Sequence, residues 1–305
     1  MRKALRILFG LTLLVLLIGY FDPGAIAAKL IGLNPAFVAA TVFLILIATF
    51  IGAYNTYLLV NLEDSLTFSI FLPRYWLAWA VGLVFPGQVG DIATLSAVMK
   101  RRGLNITQTL GRSLADKLIS FVLMLGFGCW GIVTLPGVSL ASYWPLAILP
   151  LMVVAPLLYW QRHPIERFLK RRHHRILEFV QLTLRETVQA ARYHPGRAAA
   201  NMVMTSIKIG LIGSAYWCVF QALDHADIAL WRVIPLVAAS SLIAYLPISF
   251  NGIGTVEITG VALFSTLGIA EPTVLSAYLI LRILVLALAW LPAGLWLIAG
   301  GQPHR

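Results

Sequence analysis

The feature that most constrains the fold of this chain is a series of long apolar runs, several of which reach roughly 17–25 residues. A run of that length crosses the hydrocarbon core of a bilayer as a helix, and the short alternating segments of a membrane β-barrel are absent from the sequence. The chain is 60% hydrophobic and 11% charged, against about half and about a quarter in soluble domains. We therefore predict an all-α polytopic membrane protein. The eight predicted spans lie near 5–21, 36–60, 69–85, 113–135, 143–160, 199–221, 231–247 and 272–299.

The first apolar run has a second interpretation. Arg2, Lys3 and Arg6 precede an apolar stretch over 7–18, and "AIAA" at 25–28 has the small residues of a signal-peptide cleavage site. We favour a retained span, because the bulky "YFDPG" before that site is more typical of a loop.

The net charge of +11 is typical of a membrane protein that obeys the positive-inside rule. No nucleic-acid motif is present, so we expect no nucleic-acid partner. Segment 161–197 is the longest polar stretch, is rich in Arg and has apolar residues at helical spacing. We predict that it is an amphipathic helix on the anionic cytoplasmic leaflet. It would separate a first half (about 1–160) from a second half (about 198–305) within a single integral membrane domain, 1–305.

The same charge pattern and the number of spans place both termini in the cytoplasm. Cys129 and Cys218 each lie in an apolar span, where buried thiols usually pack. Four histidines fall in or beside the basic segment without ligand spacing. We therefore expect no disulfide, no metal and no other cofactor.

Two broken segments interrupt the apolar pattern at corresponding places. "LVFPGQVGDIATL" begins at Leu83 and "LPISFNGIGTVEI" begins at Leu246. Each has a span that ends at Pro, a Gly-containing turn with an amide side chain, an acidic residue and a short helix, at about 92–102 and 255–267. A span with an embedded charge follows each. We predict that each short helix forms a re-entrant hairpin with the preceding span, and that the two hairpins enter from opposite faces as an inverted-topology repeat.

Interrupted segments of this kind indicate a transporter site near the membrane midplane, where helix N-termini favour an anion. Ionisable groups inside the membrane point to the same conclusion. The alternatives are kinked spans with packing glycines, carboxylates at 91 and 257 that only cap helices, and a structural pair between 112 and 116. Lys208 is deep in its span but is not in the predicted set. That set is Gln88, Asp91, Arg112, Asp116, Lys117, Asn251, Gly252, Gly254, Glu257 and Arg282.

The depth of Arg282, some ten residues into its span, makes snorkelling to the surface difficult. We expect its partner to be Glu257, Asp91 or the anion of a ligand. Asp91 and Glu257 each begin a short helix, so each would compete with a bound anion for the helix N-terminus. Protonation of such a carboxylate would free the site, which is a route to proton coupling.

Three motifs, "FPGQVGD", "GRSLADK" and "LPISFNGIGTVEITGVALF…LG…A…LILR", resemble the lysylphosphatidylglycerol synthase transmembrane-region (flippase-like) family over nearly the whole chain. One departure is clear: family members commonly have an Arg a few positions after the Gly-Asp of the first motif, where this chain has "IATLSAV". The resemblance implies a relation to the flippase portion of multiple peptide resistance factors and to hopanoid- and glycolipid-associated proteins. Relatives that make aminoacyl-lipid have a separate soluble domain. This sequence ends at Arg305, soon after the last predicted span, so we expect no synthase activity.

These observations predict a lipid translocator whose substrate is a phospholipid or a polyprenyl phosphate, with or without a sugar. The anionic head would meet Arg282, the short-helix N-termini and Lys117 or Arg112. One alternative is a lipid-modifying membrane enzyme, which the lack of a metal-binding, Ser-His-Asp or nucleotide-binding motif disfavours. The other is a non-transporting partner that recruits a cytosolic glycosyltransferase or acyltransferase through 161–197.

Overall fold

The computed structural model describes residues 32–63, 66–85, 90–135, 188–189, 192–223, 227–245, 249 and 251–298. The regular structure of this part of the chain is helical throughout. The predicted spans 5–21 and 143–160, and most of 161–197, lie outside it. We number its main α-helices α1 Pro35–Val60, α2 Phe68–Gly82, α3 Gly90–Lys100, α4 Ile106–Val133, α5 Pro195–Ala222, α6 Leu230–Ser241, α7 Thr255–Ser265 and α8 Glu271–Ile298.

Four helices, α1, α4, α5 and α8, are long and apolar enough to cross a membrane. They have 26 to 28 residues, or roughly 40 Å, against a hydrocarbon core of about 30 Å. The predicted class, an all-α polytopic membrane protein, is confirmed. Helix α4 begins at Ile106, before the predicted 113, because the side chain of Asn105 accepts a hydrogen bond from the N–H of Thr107 at 2.9 Å and caps the first turn. The polar residues of that turn are helical although they are not apolar.

Helices α2 and α6 are shorter than spans, with 15 and 12 residues. The predicted spans 69–85 and 231–247 are therefore corrected to short helices, which end before the Pro residues at 86 and 247. Helix α2 packs on α3, while α6 continues into a 3₁₀ turn, Leu242–Tyr245, that packs on α7. Each half thus contains a hairpin of two short helices, where the sequence predicted a short helix paired with a full span.

The contacts between helices repeat from one half to the other. Helix α1 packs along α5 in the antiparallel sense, since Asn55 contacts Thr205 while Thr41 lies near Ala215. Helix α4 packs on α6, and the equivalent pair, α8 on α2, also forms. Antiparallel packing of equivalent helices is the arrangement that an inverted repeat requires. The membrane face from which each hairpin enters stays a prediction.

Gly82, the last residue of α2, lets the first turn of α3 approach closely. A Cβ atom at this position would lie 2.7 Å from the Cβ of Asp91 and 3.1 Å from its backbone nitrogen. The contact includes backbone, which cannot move aside as a flexible side chain would. The position of Asp91 therefore depends on the missing side chain at Gly82.

We expect Gly82→Ala to lower the free energy of unfolding by about 1–3 kcal/mol, because overpacking forces the two helices apart. Thermal unfolding in detergent measures this effect. Gly126→Ala is the matched control, since a Cβ there meets nothing within 4 Å. Equal stability of the two variants would show that α3 is not held against α2 in this way.

Candidate functional site

A cavity of about 320 Å³ lies between the two halves. Five charged side chains line it: Asp91, Lys117, Lys208, Glu257 and Arg282. Lys117 and Arg282 each lie eleven residues after the first residue of their helix, or roughly 17 Å along its axis. That distance is close to half the thickness of a roughly 30 Å hydrocarbon core, so the charges are deep inside the bilayer.

Two ion pairs occupy equivalent positions in the two halves. Asp91 Oδ2 lies 2.6 Å from Lys117 Nζ, and Glu257 Oε1 contacts Arg282 Nε. In both pairs the carboxylate belongs to the first turn of a short helix and the cation belongs to the span that follows it. The geometry therefore selects Glu257 from the expected partners of Arg282, and gives Asp91 a Lys partner where the family pattern suggested an Arg.

Each carboxylate also accepts a hydrogen bond from the backbone. Asp91 Oδ1 accepts from the N–H of Ile92 at 2.8 Å, and Glu257 Oε2 accepts from the N–H of Gly254 at 2.8 Å. The capping interpretation is thus realised at both carboxylates, and the same side chains line the cavity. An anion that approached either helix N-terminus would meet a carboxylate that it must displace or accommodate.

The turn before α7 places Asn251 on the cavity wall. Asn251, Gly252 and Gly254 have φ angles of 45°, 73° and 78°, in the left-handed region that Gly adopts without strain and Asn tolerates. A Cβ at Gly252 would also lie 2.4 Å from a methyl group of Val256. The predicted roles of the three residues become distinct: Asn251 presents a side chain, while the glycines shape the turn. Gln88 lies outside the described residues.

The structure does not bring Arg112 to the cavity. Its guanidinium donates to Glu63 at 2.7 and 2.5 Å and to the carbonyl oxygen of Val60 at 3.0 Å, at the end of α1. The alternative pairing of Arg112 with Asp116 is also corrected, because each has partners on other helices. Residues four apart share one face of a helix, so the Arg112–Asp116 contact was possible, but both side chains bind groups outside α4 instead.

Within the described part of the chain, the hydrogen-bond partners of Asp116 are neutral groups. It accepts hydrogen bonds from Asn55 Nδ2 at 3.1 Å, Asn201 Nδ2 at 2.9 Å and Thr56 Oγ1 at 2.9 Å. Its carboxylate faces a side chamber of about 60 Å³ that shares the walls formed by Lys117 and Lys208 with the main cavity. Asp116 therefore lies beside the cavity, and its oxygens are occupied by α1 and α5.

Glu63 lies outside the spans, and its hydrogen bonds from Arg112 lower its pKa. A lowered pKa in the folded state stabilises the protein above the ordinary value of the group, near 4.5, and this stabilisation is lost as the pH falls through the lowered value. Glu63→Gln should therefore reduce the free energy of unfolding by about 1 kcal/mol at pH 7, a small effect because half of the side chain is exposed.

The difference between wild type and Glu63→Gln should stay constant down to about pH 5 and shrink as the pH falls below 4.5, in thermal unfolding followed by circular dichroism. Asp227→Asn is the control, an exposed carboxylate of the loop before α6. A difference that does not change with pH would show that the Arg112 contact is not ionic.

Lys208 is the charged residue of the cavity that was not among the predicted site residues. It lies near the centre of α5, and within the described part of the chain no ion pair or hydrogen bond of its ammonium is found. The sequence signal was a single Lys in an apolar helix without a motif around it. No motif or spacing in the sequence pointed to the four tyrosines that line the cavity, which are Tyr75, Tyr216, Tyr245 and Tyr278.

The fold and the cavity define a polytopic helical membrane protein with a charged interior. A family model described as Lysylphosphatidylglycerol synthase TM region matches residues 4–293. The chain belongs to this family, which links it to lipid metabolism in the membrane. The comparison with curated proteins found no match, and neither did the comparison with solved structures.

Proposed function

We propose that this protein moves a lipid with an anionic head across the bacterial inner membrane. The observation that carries the proposal is the cavity between the two halves, with ion pairs at equivalent positions and with Lys208, to which the described residues supply no ion pair. Buried ion pairs are weak evidence for stability, since apolar residues of similar volume often replace them at no cost. Charges that line a cavity at this depth are typical of a substrate pathway.

The walls of the cavity suit an amphiphile. Beside the charged side chains, aliphatic ones line the same space: Ile45, Ile209, Ile212, Val285 and Leu286. A polar head would lie against the charged side chains, and the start of a hydrocarbon chain would lie against the aliphatic ones. A phospholipid and a polyprenyl phosphate, with or without a sugar, both have this division.

The role of each site residue follows from its contacts. Arg282 uses Nε for Glu257 and directs the rest of its guanidinium toward the cavity, where its fork geometry suits a phosphate. Lys117 holds Asp91 at the other short helix. Because the two pairs belong to the two halves of an inverted repeat, movement of one half against the other would expose the head to alternate faces.

We also propose that the protein is not an enzyme. Four of the five charged side chains of the cavity form carboxylate–cation pairs, and among the described residues we find no nucleophile held by a base.

Reconstitution tests the proposal. Purified protein in phosphatidylcholine liposomes would be given trace phosphatidylglycerol with a fluorescent acyl chain, and dithionite would bleach the accessible label. We expect protein to make the inner-leaflet pool of the anionic lipid accessible while the equivalent labelled phosphatidylcholine stays protected. Folded protein that moves none of several anionic lipids would contradict the proposal and favour a role in recruiting a soluble partner.

The proposed sidedness has cytoplasmic termini and places 161–197 on the anionic cytoplasmic leaflet. In a variant without its two native cysteines, we expect a Cys at position 224 to react with an impermeant thiol reagent from outside. A Cys at position 173 should react only after lysis. Labelling of both positions from the same side would contradict the inverted repeat.

A further inference from the structure

Among the described residues, Lys208 differs from the other two cations of the cavity in having no carboxylate in contact. Lys117 and Arg282 are each held by a carboxylate that also caps a short helix. The nearest candidate for Lys208 is Asp116, whose field acts on it. The oxygens of Asp116 already accept three hydrogen bonds from neutral donors, and it forms no ion pair with Lys208 in the described part of the chain.

Lys208 and Tyr75 pack against α1 at the edge of the cavity. Lys208 lies where α5 crosses α1, opposite Gly52. A Cβ at Gly52 would lie 3.6 Å from Lys208 Nζ and 3.0 Å from the hydroxyl of Tyr75, so the absence of a side chain at Gly52 allows both groups to approach α1 closely. A ligand in the cavity would lie beside both groups. Lys208 and Tyr75 line both the main cavity and the side chamber.

A buried ammonium without an anionic partner is costly, because it is a compact charge that water solvates strongly. An anion that enters the cavity would remove this cost. In the main cavity the pairs of Lys117 and Arg282 are each neutral, so among the described lining residues Lys208 is the charged side chain with no opposite charge in contact. The negative charge of Asp116 lies in the side chamber. The amine of a zwitterionic head would find no unoccupied carboxylate among the described cavity residues.

We propose that Lys208 binds the phosphate of the lipid head and selects lipids whose head has a net negative charge. This inference rests on the proposed function and adds the residue that distinguishes substrates by the net charge of the head. Lys117 and Arg282 keep their carboxylates in the bound state. The hydroxyl of Tyr75 is placed to donate a second hydrogen bond to the same phosphate.

Native mass spectrometry of the detergent-solubilised protein, titrated with phosphatidylglycerol or phosphatidylcholine, measures the binding. Lys208→Met keeps the aliphatic stem and removes the charge, and it should weaken phosphatidylglycerol binding roughly ten- to hundredfold, the loss of one charge-assisted hydrogen bond. Lys208→Arg should retain most of the affinity. Phosphatidylcholine binding should be equal in all variants, and Lys100→Met, at the exposed end of α3, should behave as wild type.

Gly52→Ala gives an independent test, since it keeps every charge and adds a methyl group that should displace the Tyr75 hydroxyl and shift the Lys208 side chain. It should also weaken phosphatidylglycerol binding. Thermal unfolding of Lys208→Met should be unchanged or raised, because no contact of the ammonium is lost.

Two outcomes would overturn the inference. If wild type moves phosphatidylglycerol in liposomes and Lys208→Met binds it equally well, Lys208 does not read the charge and the proposed function stands. If inorganic phosphate binds in a Lys208-dependent manner and phosphatidylglycerol does not, the site takes a free anion instead of a lipid. Wild type that neither binds nor moves any anionic lipid would contradict the proposed function itself.

Discussion

Arg282→Lys should fold like the wild-type protein and lose lipid movement. The Arg282 side chain is 19% exposed, so its guanidinium borders the cavity while Nε contacts the fully buried Glu257. Lys keeps the positive charge next to Glu257 but replaces a planar fork with a single ammonium. If the remaining guanidinium nitrogens bind the phosphate, their loss should slow movement of phosphatidylglycerol by about ten- to hundredfold. The liposome assay and a thermal unfolding curve measure the two properties separately.

Arg232→Lys is the control for this change. Arg232 stacks over the ring of Trp231, 5.0 Å from its centroid, on α6, and does not line the cavity. Its replacement should leave lipid movement unchanged. Normal lipid movement by the Arg282→Lys variant would show that the guanidinium of Arg282 is not needed for transport. It would favour the alternative that the Pro- and Gly-containing break only serves helix packing.

Glu257→Gln separates the two roles of the same pair. Its carboxylate is fully buried and has two partners, Arg282 and the N–H of Gly254. Gln can still accept from Gly254 but leaves the Arg without a counter-charge, which costs up to about 3–5 kcal/mol when a pair is wholly buried. We expect a smaller loss of stability here, because the guanidinium borders a cavity. We also expect the pH dependence of transport, if wild type shows one, to be lost.

Helix positions could be predicted closely from the sequence, because apolar length and breaks at Pro and Gly are local signals. The short helices were predicted at 92–102 and 255–267, and they lie at Gly90–Lys100 and Thr255–Ser265. One repeat signal was missed. Pro73 and Pro235 each stand five residues into α2 and α6, which supports the equivalence of the two hairpins.

Contacts between helices were predicted less well. The Glu257–Arg282 pair was among the alternatives, since both residues belong to one broken segment and its following span. Arg112 was expected at the site because an intramembrane cation is unusual, yet it reaches Glu63 at the end of α1. Helical spacing shows which residues share a face of one helix, but it does not show which neighbouring helix lies against that face. That information comes only from the tertiary arrangement.

Asp116→Ala should give the largest loss of stability of the changes considered. Asp116 lies on α4 and is 7% exposed. Its two oxygens accept from two amides and one hydroxyl of α1 and α5, so removal takes a charged acceptor from three buried donors, which keep only their neutral acceptors. Each lost hydrogen bond to the carboxylate costs about 1–3 kcal/mol, and we expect a combined loss of about 3–5 kcal/mol in the free energy of unfolding. Chemical or thermal unfolding in detergent measures it.

Asp116→Asn should lie between Asp116→Ala and wild type, because one oxygen still accepts a hydrogen bond while the amide nitrogen faces donors. Ser120→Ala, one turn further along α4, is the control for a buried polar residue. In the described part of the chain its hydroxyl forms no hydrogen bond, so its effect should stay within about 0.5 kcal/mol. The folded fraction of the Asp116→Asn variant should still move lipid. Asp116 joins helices beside the cavity, so its replacement leaves the anion-binding groups of the cavity in place. A stable Asp116→Asn that no longer moves lipid would instead place this carboxylate in the transport mechanism, as the counter-charge that Lys208 meets when the lipid has left.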